Sequence, residues 1–184
     1  MNTFLILLGI VVVIVILMYN SLVAKKNEVD NIFGSVDTLL KKRYDLIPNL
    51  VATLQEYMQY EKDLLTKVTK LRSQALSASD DEKVKLEPQL QSALGQIMVA
   101  VENYPELKAN ENVIHLQHTL AEIEEQISAA RRAYNQAVTD YNNALEMIPT
   151  NILANMMAYK PKELFSIEEN ERKNVDIKKL FANK

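Results

Sequence analysis

The sequence predicts an all-α protein in which one N-terminal transmembrane helix continues into an antiparallel bundle of long helices. Three observations support this fold class. No charged side chain occurs from Met1 to Ala24, and the stretch from Phe4 to Met18 is almost continuous Leu, Ile and Val. Apolar residues then recur at steps of three and four, which is the helical period. With only 3 glycines and 5 prolines in 184 residues, turns are few and helix-forming residues dominate.

Residues 1–24 form the predicted membrane anchor, because an uncharged apolar segment of this length can span a bilayer. A cleaved signal peptide would carry a basic residue before the apolar run and small residues before the cut, and neither feature is present. Lys25 and Lys26 follow the run directly. The positive-inside rule therefore favours a single-pass protein with its N-terminus outside and its bundle in the cytoplasm. A bundle on the periplasmic side is the alternative.

Residues 25–159 form the predicted bundle, and its first helix has an apolar stripe that starts at Val29. The stripe resumes at Leu50 and continues to Leu71. Because Pro48 removes a backbone donor, we expect a kink or short break near Ile47-Pro48 within one long helix that ends around Ser77.

Two further helices and a short one follow in the sequence. Ser79 and Glu82 form a capping-box pattern that starts the second helix, which ends before Tyr104-Pro105. Asn110 is the expected N-cap of the third helix, whose apolar seam has the spacing of a coiled coil or helical bundle. The seam consists of Val113, Leu116, Leu120, Ile123, Ile127, Ala130, Tyr134, Ala137, Tyr141, Ala144 and Ile148.

Pro149 stops the third helix, and Thr150 begins a predicted short amphipathic helix. Lys160-Pro161 then opens a charged tail, residues 160–184, which we expect to be poorly ordered on its own.

Composition excludes several classes of function. Without cysteine the chain can form no disulfide, thiolate nucleophile or zinc-thiolate site, and a net charge of -3 gives no electrostatic basis for nucleic-acid binding. We find no phosphate-binding glycine loop, nucleophile elbow or metal-ligand cluster. The sequence therefore predicts a protein that is not an enzyme and that has no catalytic residue, cofactor or metal.

Four residues, Glu111, His115, His118 and Glu122, share one helical face and could in principle bind a divalent metal. That face lies off the apolar seam of the third helix. A solvated polar stripe is therefore the preferred interpretation, and no metal ligand is assigned.

Two charged residues, Arg43 and Glu61, fall on the apolar seam of the first predicted helix. A buried carboxylate must be paired, so we expect a buried polar layer of Arg43, Glu61 and Arg131, with Arg132 or a tyrosine hydroxyl as alternative partners. We prefer a structural pair that sets helix register over a ligand site.

The pairs Tyr134-Asn135 and Tyr141-Asn142 lie one heptad apart, and Val138 and Leu145 widen the apolar stripe beside them. Buried tyrosines with bonded hydroxyls would explain this pattern. The functional hypothesis is an assembly surface for another subunit, formed by Tyr134, Asn135, Val138, Tyr141, Asn142 and Leu145.

Several segments, in the same order along the chain, carry a resemblance to a known family. They are Tyr19-Asn20-Ser21-Leu22-Val23, Lys42 to Val51, Tyr104 to Asn110, Leu116-Gln117, and Ala130 to Asn135 followed by Val138, Tyr141 and Asn142. In these segments the chain resembles the bacterial LemA family. The resemblance implies a protein of the bacterial inner membrane with one N-terminal membrane helix and a mostly cytoplasmic antiparallel bundle. It implies no catalytic residue, and magnetosome-forming relatives suggest a role in membrane organisation.

These observations lead to two function hypotheses of different classes. The first is a non-enzymatic, membrane-anchored scaffold that forms homo-oligomers through its bundle and organises or shapes the membrane. The alternative is a sensory or adaptor bundle that binds a small ligand or partner protein between its helices.

Overall fold

A computed structural model describes residues 2–166 of the chain. Within this range the chain forms six α-helices and no β-strand. The helices are Asn2–Gln55 (α1), Lys62–Ser77 (α2), Asp80–Val101 (α3), Pro105–Lys108 (α4), Glu111–Glu146 (α5) and Thr150–Met156 (α6). The predicted fold class is confirmed: the protein is all-α, and its long apolar N-terminal helix packs against the other helices of a bundle.

Helix α1 is 54 residues long, and its surroundings change along its length. The large apolar side chains from Phe4 to Leu17 are 41–68% exposed, whereas burial against other helices begins at Leu22. By length and composition, α1 is apolar enough to cross a membrane. A continuous band of exposed apolar side chains suits hydrocarbon rather than water.

Helix α5 packs along α1 in the opposite direction. Near the apolar end of α1, Leu22 packs with Ala144. Further along, the rings of Phe33 and Tyr134 meet edge to face with their centroids 5.6 Å apart. As residue numbers rise on α1 they therefore fall on α5, and the pair forms the long axis of the bundle.

Helices α2 and α3 complete a four-helix bundle. α2 returns antiparallel to α1, and α3 runs parallel to α1, with Lys83 Nζ 2.6 Å from Asp37 Oδ1. The four long helices thus alternate in direction, as in up-down-up-down bundles. Their shared core includes Val36, Leu40, Ile47, Leu50, Leu65, Val68, Leu90, Ile97, Val113 and Ile127.

The prediction of one long helix ending near Ser77 is wrong. α1 continues through Pro48 to Gln55, and a turn at residues 56–61 reverses the chain into α2. The apolar spacing crosses this turn without interruption because both helices face the same core, so periodicity alone does not reveal the reversal. Pro48 has no amide hydrogen, so the Tyr44 carbonyl loses its usual donor within the helix. Arg72 of α2 donates a hydrogen bond to this carbonyl instead, and the helix continues through Pro48.

The predicted helix starts are confirmed at two positions. Glu82 Oε2 accepts hydrogen bonds from the backbone amide of Ser79 at 2.9 Å and from its hydroxyl at 2.8 Å. Asn110 Oδ1 accepts from the amides of Asn112 and Val113, which caps α5. α3 passes through Pro88 without a break.

The first residues of the predicted tail, 160–166, lie against α5 without regular secondary structure. Side chains of α5 form hydrogen bonds with the backbone of Lys160, Lys162, Glu163 and Phe165. That the tail is poorly ordered on its own stays a prediction. Residues 167–184 of the predicted tail lie outside the described range. Residues 160–166 are called the C-terminal segment below.

Candidate functional site

A buried charge cluster lies where α1, α3 and α5 meet. The side chains of Arg43 and Glu87 are both 0% exposed and form an ion pair between Arg43 Nη2 and Glu87 Oε2. The second oxygen of the Glu87 carboxylate accepts a hydrogen bond from the Tyr44 hydroxyl. A carboxylate this deeply buried is tolerated only when its lone pairs are satisfied, as they are here.

Two residues of α5 extend the cluster toward the surface. Arg131 Nη2 lies 2.9 Å from Glu87 Oε2, and Arg43 Nη1 lies 2.6 Å from Glu124 Oε1. Two guanidinium groups therefore face two carboxylates. The cluster is balanced in charge and ties three helices together in one register.

The electrostatics of the cluster follow from burial and charge. Burial lowers the pKa of Arg43, but the charges of Glu87 and Glu124 outweigh it and raise that pKa above its ordinary value. Burial, reinforced by the charge of Arg43, lowers the pKa of Arg131. Burial and the adjacent Glu87 raise the pKa of Tyr44 far above its ordinary value, so its hydroxyl stays a donor.

The structure brings Arg43 and Arg131 together, as the predicted polar layer required, but places Glu61 elsewhere. Glu61 is half-buried at the start of α2, where its Oε2 accepts a hydrogen bond of 2.6 Å from the Tyr104 hydroxyl. This hydrogen bond raises the pKa of Tyr104. The prediction for Glu61 is wrong because the turn at 56–61 moves this residue to the end of the bundle.

Glu87 takes the position in the polar layer that was predicted for Glu61. A signal for it exists in the sequence, since Glu87 lies three residues after Val84 and three before Leu90, both of which are buried. An apolar seam of α3 that is counted through Val84 and Leu90 includes Glu87.

The second feature is the face of α5 that binds the C-terminal segment. The Asn142 side chain donates to the Lys162 carbonyl oxygen at 2.9 Å and accepts from the Lys162 amide at 2.9 Å. Asn135 repeats the pattern with Phe165, at 3.0 and 2.9 Å. Each asparagine amide thus pairs with backbone as another peptide group would.

The distance between the two asparagines along α5 explains why both can bind the backbone of the C-terminal segment. Seven residues of α-helix rise about 10 Å, and three residues of extended chain, from Lys162 to Phe165, cover about the same distance. The tyrosines beside the asparagines add two bonds. Tyr141 donates to the Lys160 carbonyl at 3.2 Å and Tyr134 to the Glu163 carbonyl at 3.3 Å.

Side chains also hold the C-terminal segment in place. Phe165 is 7% exposed, and its ring lies edge to face with that of Tyr134 at 5.1 Å. The guanidinium group of Arg131 also lies against the Phe165 ring, with its central carbon 5.1 Å from the ring centroid, which is within the range of a cation–π contact. This contact links the C-terminal segment to the charge cluster.

The predicted assembly surface is therefore covered by the protein's own chain. Tyr134, Asn135, Tyr141 and Asn142 all bind residues 160–166, Val138 is buried and Leu145 is half-buried. These polar groups have their partners within one chain. The sequence indicates the residues of this surface but not the segment of the chain that they bind.

The polar stripe predicted on the third helix faces solvent. The side chains of Glu111, His115, His118 and Glu122 are exposed, and His118 Nδ1 lies 3.4 Å from Glu122 Oε1. No group of metal-ligating side chains suited to an ion occurs within residues 2–166.

Two clefts lie between α3 and α5. One, of about 390 Å³, borders the charge cluster at Glu124 and Arg131 and is closed on one side by Phe165. The other, of about 290 Å³, is lined by apolar side chains including Leu94 and Leu120. The charged groups of the cluster beside the first cleft form ion pairs with one another. The interactions at the two clefts are therefore ion pairing and apolar packing.

Comparison with known proteins shows what the chain is similar to. A family model described as LemA family matches residues 32–178. Protein LemA of Metamycoplasma hominis is 28% identical over 180 residues, which cover 96% of this chain and 82% of that protein.

Two magnetosome proteins match a shorter stretch. Magnetosome protein MamQ 2 of Paramagnetospirillum magneticum is 35% identical over 74 residues, which is 40% of this chain and 27% of that protein. Magnetosome protein MamQ of Magnetospirillum gryphiswaldense is 31% identical over a stretch of the same length. None of these three relatives is named as an enzyme.

The apolar N-terminal half of α1 and these relatives together fit a membrane-associated protein. The family model spans more than half of the chain and includes the charge cluster and the C-terminal segment. The chain therefore belongs to the LemA family.

Proposed function

We propose that this protein is a non-enzymatic, membrane-anchored scaffold that holds a helical bundle upright on the membrane and associates with further copies in the plane of the membrane. The observation that carries the proposal is the continuity of α1, which is one helix from Asn2 to Gln55. The same helix supplies the exposed apolar segment and one wall of the bundle core.

A continuous helix fixes the orientation of the bundle relative to the membrane anchor. Between Ala24 and Gln55 a rise of 1.5 Å per residue gives about 45 Å, so the turn at 56–61 would stand that far from the membrane surface. Because α5 packs against α1 from Leu22 onward, no flexible linker separates anchor from bundle. Such a rigid arm suits spacing or ordering other components.

The internal contacts support a structural role rather than a catalytic one. The buried charges are paired with one another, and the polar groups of the α5 face bind the chain's own backbone. Both arrangements fix helix register and leave reactive groups occupied.

For self-association we favour contacts between anchors over the α5 face, because that face is covered. Anchors confined to one membrane raise the effective concentration of the bundles, so weak lateral contacts become populated. For the orientation we keep the bundle in the cytoplasm of a bacterial cell, on the inner membrane, since Lys25 and Lys26 follow the apolar segment.

An experiment on the full chain in liposomes tests the upright scaffold. The protein lacks cysteine, so Tyr60→Cys, at a position that is 94% exposed at the end of the bundle, can carry one donor dye. Energy transfer to acceptor lipids should place it about 45 Å from the bilayer surface. A dye close to the bilayer would contradict the proposal.

Orientation is tested in intact cells with a membrane-impermeant maleimide. Asp81→Cys in the first turn of α3 should stay unlabelled until the cells are lysed, whereas Thr3→Cys should be labelled at once. The reverse pattern would place the bundle on the periplasmic side.

A second candidate function, a sensory or adaptor bundle, is favoured by the cleft of about 390 Å³ beside Arg131 and Glu124. Clefts with converging polar groups are the usual form of ligand sites. Arg132 also lines this cleft. Inorganic phosphate or a small dicarboxylate that raised the melting temperature of the wild type, but not of Arg132→Ala, would favour this candidate over the scaffold.

A further inference from the structure

The corner between α5 and α6 exposes an apolar surface that the bundle does not need for its own packing. Four large side chains are 60–83% exposed there: Met147, Ile148, Ile152 and Met156. From Met147 to Tyr159 the chain has no charged residue, although Glu146 and Lys160 bracket the stretch. Four large apolar side chains exposed within ten residues favour contact with an apolar neighbour.

The position of the corner along α1 identifies that neighbour. Leu22, near the end of the apolar run of α1, packs with Ala144 on α5 and Ala154 on α6. Because α5 runs antiparallel to α1, the two residues from Ala144 to Glu146, where α5 ends, carry the helix about 3 Å back along α1. Glu146 is therefore level with about Asn20, so the corner begins beside the uncharged part of α1 that ends at Ala24.

Burial along α1 agrees with this level. Met18 is half-buried, whereas the large apolar side chains from Phe4 to Leu17 are all exposed. The bundle thus begins before the apolar segment of α1 ends. If α1 spans a bilayer, the corner reaches into the level of the membrane.

We propose that the α5–α6 corner is a second membrane contact, in which Met147, Ile148, Ile152 and Met156 insert into the interfacial layer of the bilayer that α1 crosses. The proposal rests on the membrane-spanning part of the proposed function. Short helices with one apolar face lie in this layer with that face buried about 5–10 Å.

Backbone hydrogen bonding at the corner suits an environment poor in water. The Thr150 hydroxyl lies 2.6 Å from the carbonyl oxygen of Ala144 and 2.9 Å from that of Met147. The Asn151 amide also donates to the Met147 carbonyl, at 2.9 Å. Carbonyls at the end of a helix need such partners where water does not reach them.

A lipid surface fits the corner better than a second copy of the chain. The patch lies at the same end of the bundle as the exposed apolar side of α1, because Leu22 of α1 packs with Ala144 and Ala154 at the corner. The stretch without charge ends at Lys160, a residue suited to water and headgroups. Two attachment points, α1 and the corner, fix the tilt and the rotation of the bundle, which one helix alone leaves free.

The test uses full-length protein in liposomes of phosphatidylcholine with phosphatidylglycerol. Single variants Ile152→Cys and Met156→Cys carry a nitroxide spin label, and collisions with oxygen are compared with collisions with a water-soluble nickel chelate. Both labels should favour oxygen, at a depth near the interface. Val12→Cys serves as the deep reference and Tyr60→Cys as the aqueous reference.

The outcomes separate this inference from the proposed function. Labels at Ile152 and Met156 that favour the nickel chelate, while Val12 reports a deep site, would overturn the membrane contact and leave the spanning helix intact. A label at Val12 in water would overturn both. Labels shielded from both reagents would show that protein covers the corner, which also overturns the proposal.

Discussion

The guanidinium Nε of Arg72 in α2 donates a hydrogen bond of 2.7 Å to the backbone carbonyl oxygen of Tyr44 in α1. In a regular helix that carbonyl would accept from residue 48, but residue 48 is a proline and has no amide hydrogen. A side chain of the neighbouring helix thus replaces the backbone donor that α1 lacks. Arg72 and Pro48 are therefore expected to depend on each other energetically.

This dependence is tested with a double-mutant cycle. Arg72→Ala should lower the free energy of unfolding by about 1–3 kcal/mol, because it leaves a carbonyl without a donor in the packed bundle. In a Pro48→Ala background the backbone amide of residue 48 supplies the bond, so the same change should cost clearly less. Denaturant unfolding of the full-length protein in detergent measures both. Equal costs in the two backgrounds would contradict the assignment.

Removing the central carboxylate of the charge cluster should destabilise the protein strongly. Glu87→Gln keeps the size of the side chain but leaves Arg43 and Arg131 with one partner fewer in a buried site, and breaking such a pair costs about 3–5 kcal/mol. Glu61→Gln is the matched control, since it changes a half-buried carboxylate at the end of the bundle. If the two variants unfolded at the same denaturant concentration, the cluster would not have this structural role.

Glu61 and Glu87 illustrate which parts of the fold can be predicted from the sequence and which cannot. The apolar periodicity predicts a single helix where the structure has α1 and α2. The spacing continues across the turn at residues 56–61, which contains neither glycine nor proline. The helix starts at Ser79 and Asn110 are predictable because capping chemistry is local. Which carboxylate meets Arg43 depends on the chain reversal between α1 and α2, and such long-range pairing is not encoded in the spacing of a single helix.

The C-terminal segment should detach from α5 when its asparagine partners are removed. Asn142→Ala deletes the acceptor for the Lys162 amide and the donor for its carbonyl, so exchange of that amide with deuterium should accelerate. Asn143→Ala, an exposed position next to it, is the control and should leave exchange unchanged. Protection at Lys162 that survived in Asn135→Ala combined with Asn142→Ala would show that other contacts hold the segment.

The protein should lose stability in alkaline solution partly through Tyr134. Burial, with the nearby Asp81 and Asp80, raises the pKa of Tyr134 from 10.0 to about 12. The folded state therefore holds this proton more tightly than the unfolded state does. The associated stability is complete below pH 10.0 and is lost as the pH rises toward about 12. Tyr134→Phe should flatten this part of the unfolding profile, whereas Tyr60→Phe, at an exposed position, should not; identical profiles for wild type and Tyr134→Phe would contradict the assignment.

The α5 face shows a different limit of sequence reasoning. The heptad repeat of Tyr134-Asn135 and Tyr141-Asn142 is enough to predict a recognition surface. It does not name the ligand, because the asparagines bind backbone atoms of residues 160–166. Backbone recognition leaves almost no signature in the side chains of the bound segment, and only Phe165 is buried there.

Self-association in the membrane is the central claim, and counting subunits there tests it most directly. Full-length protein with one fluorophore at Tyr60→Cys, reconstituted into liposomes at low density, should bleach in a fixed number of steps greater than one. A fragment from Lys25 onward, which lacks the anchor, should associate more weakly in solution because membrane confinement no longer raises its effective concentration. Single-step bleaching of the full-length protein at every surface density would contradict the scaffold and place the adaptor hypothesis ahead of it.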